Sequence, residues 1–128
     1  MTLVFELPAW AVNLIERQCG DCAVLYAVPW DLTEEGSFIS DGYFVVTEQE
    51  CLFLSGSGGK GEVRQRQRLS VYTDYKATMM SGAGILEAAE ASAPDQYVKI
   101  AHFTMEHAAR YATIARKINL MQEGKEPD

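Results

Sequence analysis

From residue 103 to residue 121 the apolar positions recur at spacings of three and four: Phe103, His107, Tyr111, Ile114, Ile118 and Met121, with Ala108, Ala112 and Ala115 beside that stripe. This is the period of one buried helix face, and it predicts a closing helix over 104–121. Between residues 22 and 103 the pattern changes. Apolar residues come in short runs or alternate, and turn-forming clusters separate them, which is strand chemistry. The runs predict strands at 22–28, 42–47, 51–55, 62–69, 71–80, 85–91 and 96–103. The polar triplet Glu48-Gln49-Glu50 makes a hairpin of the second and third. In the fifth, Val71, Thr73, Tyr75, Ala77 and Met79 are expected on the core side and Tyr72, Asp74, Lys76 and Thr78 opposite. Ser81–Gly84 and Ala93-Pro94-Asp95 read as turns.

Ahead of the strands, residues 8–19 read as a short helix. Pro8 suits its first turn, Trp10, Leu14 and Ile15 share a face, and Gly20 can supply a left-handed cap. That face is expected to cover one edge or opening of the sheet, with Trp10 as its anchor. Many strands followed by one amphipathic helix predict an α+β fold. The expected form is a strongly bent antiparallel sheet or partly open barrel of about seven strands, closed by the C-terminal helix. A single domain is expected over 1–128, with its core at 7–121 and a tail or the start of a linker at 122–128.

Composition supports this picture and narrows the function. In 128 residues, 48% are apolar and 10% aromatic, enough for a core without disulfides or metal. The net charge of -7 repels phosphate backbones and anionic lipid, so nucleic acid is not an expected partner. No apolar run has the length of a membrane span, and MTLVFELPAW lacks the layout of a leader, which predicts a cytoplasmic location. Three cysteines are an odd number and read as reduced thiols.

Candidate chemistry is sparse. Cys19 and Cys22 form a C-x-x-C pair, the spacing of redox dithiols and of half a zinc site. The pair follows the predicted helix, whereas a redox pair sits at a helix N-terminus, where the dipole favours thiolate. Cys51, His102 and His107 could complete a metal site only if the fold gathers them. Gly56, Gly58 and Gly61 match G-x-G-x-x-G, but they lie between two strands, where a hairpin loop accounts for them better than a dinucleotide site. Lys60 fails as a Walker lysine because Gly61 follows it. Arg64, Arg66 and Arg68 are expected on one face of an edge strand. With Lys60 they form the basic cluster of an acidic chain, able to meet an acidic segment or a phosphate, or simply to guard the edge by charge. The connection 30–41 holds Asp31, Glu34, Glu35 and Asp41 and no basic residue. On the final helix, Glu106 and Arg110 are spaced to pair.

Several segments carry a family resemblance. GYFVVTEQECLFLS is similar to a hairpin of bacterial pleckstrin-homology-like domains, in which a threonine, here Thr47, ends one strand before a polar turn. GAGILEAAEA and YVKIAHFTMEHAARYATIARKIN resemble the glycine turn, penultimate strand and closing helix of that group. LPAWAVNLIE, the residues Asp31, Leu32 and Gly36, and the ending ARKIN resemble the domain at the amino end of some bacterial ABC-exporter-type ATP-binding proteins. The resemblance implies a non-catalytic regulatory or protein-interaction module without a cofactor. Its partners would be other domains of the same chain or a partner subunit, and a longer parent chain would tether it to the inner membrane. The acidic 30–41 connection argues against inositol-lipid binding. Two alternatives stand beside this reading: a cysteine-dependent metal or redox protein using Cys19 and Cys22, and a stand-alone domain forming homo-oligomers.

Overall fold

The computed structural model describes residues 1–56 and 60–125. Its strands lie in two antiparallel sheets. The first has the order β1 (Tyr26–Pro29), β2 (Gly42–Val46), β3 (Glu50–Ser55) and β4 (Glu62–Arg68). The second has the order β5 (Tyr72–Met80), β6 (Ala83–Glu90) and β7 (Ala93–Thr104). Helix α1 (Ala9–Cys19) precedes them, and a 3-10 turn at Met105–His107 leads into α2 (Ala108–Gln122). The fold is α+β, and the sheets do not close into a barrel. A second 3-10 turn, Leu69–Val71, divides what the sequence suggested as one bent sheet. Among the described residues no helix is long and apolar enough to cross a membrane.

The main core lies between the sheets and under α2. Tyr26, Val28, Phe44, Val46, Cys51 and Phe53 come from the first sheet and Leu86, Ala88, Ile100 and Phe103 from the second; Tyr111, Ile114 and Ile118 come from α2. The Tyr111 ring stacks on Phe103 with centroids 4.2 Å apart and on Phe44 at 5.5 Å, and Phe44 stacks on Phe53 at 4.8 Å. Gly84, paired with Phe103 across the sheet, leaves room for that ring: a methyl group there would stand 2.0 Å from it.

Helix α1 covers a sheet face rather than an edge. Ala11, Leu14 and Ile15 pack on Ala27, Val45, Leu52 and Leu54, the outward residues of the first sheet. Both faces of β2 and β3 are therefore buried, which is why their sequences are continuous apolar runs instead of alternating ones. Gly20 takes φ +65 with ψ -126, outside the left-handed helical region, and its N–H still bonds Glu16.

Trp10 anchors α1, and its bed is made by the two ends of the glycine-rich connection. Methyl groups at Gly56 and Gly61 would stand 2.3 Å and 2.4 Å from the indole. Two of the three glycines in the G-x-G-x-x-G spacing are thus required by packing; Gly58 lies outside the described residues. Gly56→Ala is expected to cost about 1–2 kcal/mol by overpacking and to change the tryptophan emission. In a Trp10→Ala background the same substitution should cost almost nothing, and an equal cost in both backgrounds would refute the packing role.

One strand breaks its expected alternation, and two begin at other residues than expected. In β5 the register shifts between Thr73 and Lys76, and Asp74 there takes φ 51. The bulge puts Tyr72, Tyr75 and Ala77 together at the core, while Val71 falls in the 3-10 turn and is exposed. The first strand begins at Tyr26, not at residue 22, although the Leu25 N–H already bonds Val46. Pro94 and Asp95 belong to β7, and the turn ahead of them is at 91–92.

Candidate interaction surface

Unpaired backbone on sheet edges is where another chain can be recognised. On the far edge of β1, Phe5 N–H bonds Ala27 O at 2.8 Å and Ala27 N–H bonds Leu3 O at 2.9 Å. The sequence reading missed this N-terminal segment; Leu3-Val4-Phe5 is strand-like but too short to stand out. On β5, Tyr75 N–H donates to Asn119 Oδ1 and Asn119 Nδ2 donates to Tyr75 O, both at 2.8 Å. Gln122 Nε2 donates to Leu69 O and Tyr72 O. The acidic connection bridges β7 at one point, Leu32 to His102. Among the described residues, the far edge of β4 and that of residues 93–101 in β7 carry no backbone partner.

The four basic residues singled out in the sequence are not on one face. β4 pairs with β3 as Val63 to Leu54 and Gln65 to Phe53, so Arg64 is an extra residue at a bulge. Beyond it, Arg66 reaches Gln18 of α1, and Arg68, in register with Glu50 on that side of the sheet, lines a pocket that extends to Met121 and Gln122. Arg64 turns the other way, pairing with Glu62 at 3.0 Å and lining a cleft of about 260 Å³. Trp30, Ile100 and Ala101 give that cleft apolar walls, while Gln65, Lys99 and His102 stand with Arg64, and Glu34 and Glu35 also line it. Lys60 lies on the α1 side, where Trp10, Asn13, Arg17 and Gly61 share its pocket. Arg17, far away in sequence, is the basic residue that the spacing argument could not find.

Arg66 is the most tied of the set. Its Nε and Nη2 reach the two Glu50 oxygens at 2.8 Å and 2.9 Å, and Nη1 and Nη2 reach the Gln18 side chain and carbonyl at 3.0 Å and 3.1 Å. This fork clamps the C-terminal end of α1 to β3 and β4. The guanidinium holds the Glu50 carboxyl below its usual range. A depressed carboxyl stabilises the fold above the ordinary carboxylate pKa, and that contribution is lost as pH falls through the folded value. Glu50→Gln is therefore expected to lose under about 1 kcal/mol at neutral pH, since Arg66 is open to water. The difference from wild type should shrink in thermal melts taken at steps down to about pH 3. A pH-independent difference would mean that packing, not charge, is responsible.

The cysteines do not converge. Cys19 Sγ donates to Glu50 at 3.2 Å, and Cys22 Sγ donates to the Cys19 carbonyl at 2.9 Å. Burial, then the bond to Glu50, pushes the Cys19 thiol up to about 11, and burial pushes Cys51 up to about 12. Both shifts disfavour thiolate, the nucleophilic and metal-binding form. Cys51 lies in the main core, while Cys19 packs with the α1 cluster on the opposite face of the sheet. Among the described residues no three His, Cys, Asp or Glu side chains gather as a metal site.

Asp31 and His107 meet at the start of the closing helix instead. Asp31 accepts from the Thr104 N–H at 3.0 Å and from its hydroxyl at 2.6 Å, and His107 Nε2 lies 3.6 Å from Asp31 Oδ2. Arg110 contacts His107 Nδ1 at 3.3 Å and bonds the carbonyls of Glu106 and Thr2. The expected Glu106–Arg110 ion pair is replaced by these bonds, because the N-terminal segment offers the guanidinium a closer acceptor. Asp31, His107 and Thr104 read as a structural clasp, with no nucleophile presented to a cavity.

Compared with protein-family models and with curated proteins, the chain matches none.

Proposed function

We propose that this chain is a non-catalytic, pleckstrin-homology-like interaction module. In this reading it is the N-terminal regulatory domain of a bacterial ABC-type ATP-binding protein, and it holds other protein elements through an open sheet edge. The observation that carries the reading is the pairing of a four-stranded and a three-stranded antiparallel sheet closed by one C-terminal helix, whose apolar stripe fills the space between them. The quoted segments support it by falling on defined parts of that plan. GYFVVTEQECLFLS spans the β2–β3 hairpin, where the Thr47 hydroxyl accepts the Gln49 and Glu50 N–H groups at 3.3 Å and 3.2 Å and so fixes the polar turn.

The transporter part of the reading is tested on the coding DNA beyond the Asp128 codon. Continuation into membrane spans and a Walker lysine followed by Ser or Thr is the expected result; a stop codon there would remove the transporter link. The non-catalytic part is tested with the Cys19→Ser, Cys22→Ser double variant, which is expected to fold and melt as wild type because serine keeps the bond to Glu50. Loss of a stoichiometric metal or of a reactive thiol in that variant would favour the cysteine-dependent alternative. Light scattering that gives a monomer mass would set aside the homo-oligomer.

A further inference from the structure

We propose that the far edge of β4 is a strand-addition site for an extended segment in which acidic residues alternate with apolar ones. The inference rests on the interaction-module reading and names the partner chemistry. Strand addition needs an unpaired edge for the main chain and distinct environments on its two sides for alternate side chains. β4 offers seven residues, Glu62–Arg68, with no proline among them and, among the described residues, no backbone partner on the far edge.

The two sides differ because of the bulge at Arg64. On the α1 side an added strand would lie beside Arg66 and Arg68, with Lys60 and Arg17 on the same face of the molecule. Arg66 and Glu50 neutralise each other there, with Gln18 taking the rest of the guanidinium, so the charge that an added strand would meet comes from Arg68, Lys60 and Arg17. This side calls for carboxylates. On the other side lies the cleft with Trp30, Ile100 and Ala101 in its walls. There Arg64 and Lys99 are offset by Glu34 and Glu35, so net charge selects nothing; Ile100 and Ala101 are buried, and the half-buried Trp30 ring is the apolar surface that an added apolar side chain would meet.

A row of arginines guards an edge only while nothing neutralises it. A second copy of this chain does so only in part: antiparallel pairing of β4 with itself about Gln65 sets Glu62 against Arg68 but Arg64 against Arg66, between two molecules of net charge -7. An acidic strand from elsewhere can do so in full.

The test uses a fluorescein-labelled peptide alternating Glu with Val over about seven residues, the length of β4. Its saturable binding is followed by anisotropy. Binding should weaken with salt, be lost when Lys replaces Glu, and be at least about tenfold weaker to the exposed-site variant Arg68→Glu. N-methylation of the peptide amides on its pairing edge should abolish binding while leaving its charge intact, and bound peptide should slow hydrogen exchange of the β4 amides. Undiminished binding of the N-methylated peptide would overturn the proposal in favour of charge adhesion. No saturable binding would leave the arginines as guards, and dimerisation through β4 without peptide would make a second copy the occupant. Each of these results overturns the acidic-strand site without touching the reading of the coding DNA.

Discussion

Tyr111→Ala is expected to be the most damaging single truncation in the chain, costing about 4 kcal/mol. The side chain is wholly buried, its ring stacks on Phe103 and Phe44 from the two sheets, and its hydroxyl donates to Pro29 O at 2.9 Å. Removing it opens a cavity where both sheets and α2 meet, and neighbours locked by their own stacking cannot collapse into it. Because domains are stable by roughly 5–15 kcal/mol, this loss removes a large share of the total. Tyr111→Phe keeps the ring and loses only the hydrogen bond, so it should cost about 1 kcal/mol and remain folded. Urea unfolding of both variants separates the contributions through the midpoint at unchanged slope. A loss below about 1 kcal/mol for the alanine variant would show that the core is centred elsewhere.

Asn119→Ala is expected to cost about 3 kcal/mol, large for a polar residue on a helix. Its amide satisfies both the N–H and the carbonyl of Tyr75, a residue 2% exposed, next to the bulge at Asp74. Without it two backbone groups that water cannot easily reach lose their partners. Asn119→Asp keeps the acceptor and loses the donor, so an intermediate loss is expected. Gln122→Ala, whose bonds to Leu69 and Tyr72 lie nearer the surface, should cost about 1 kcal/mol. Hydrogen exchange supplies the specific readout: the Tyr75 amide should lose protection in Asn119→Ala more than its neighbours do. Retained protection at Tyr75 would contradict the assignment.

The closing helix was legible because its period is local. Phe103, Tyr111, Ile114 and Ile118, read as one stripe, are all fully buried. The β2–β3 hairpin was legible for the same reason, since the polar triplet and the runs beside it are contiguous. What escaped depends on contacts between distant residues or on a single inserted one. Arg64, Arg66 and Arg68 at spacing two predict one face, but the bulge that separates them is marked by no glycine or proline. Asn119 reads as solvated polar surface until the bulged backbone of Tyr75 is placed opposite it. The continuous runs of β2 and β3 read only as strands, and that both of their faces are buried, with α1 as the second cover, appears only in the fold. Of the candidate site, residue types were readable, while the fork from Arg66 to Glu50 and Gln18 was not.

The contact of residues 2–5 with α2 has a consequence for synthesis. Arg110 bonds the Thr2 carbonyl at 3.1 Å and lies over the Phe5 ring at 5.0 Å, so residues 2–5 are held by a residue made far later, 108 positions along the chain from Thr2. While the ribosome still encloses 108–122, the inner faces of both sheets lack the side chains that fill them, and Tyr75 lacks Asn119. The nascent chain therefore reaches its native state only after α2 has emerged, and a stalled chain released before that point presents its strands to chaperones and to other nascent chains.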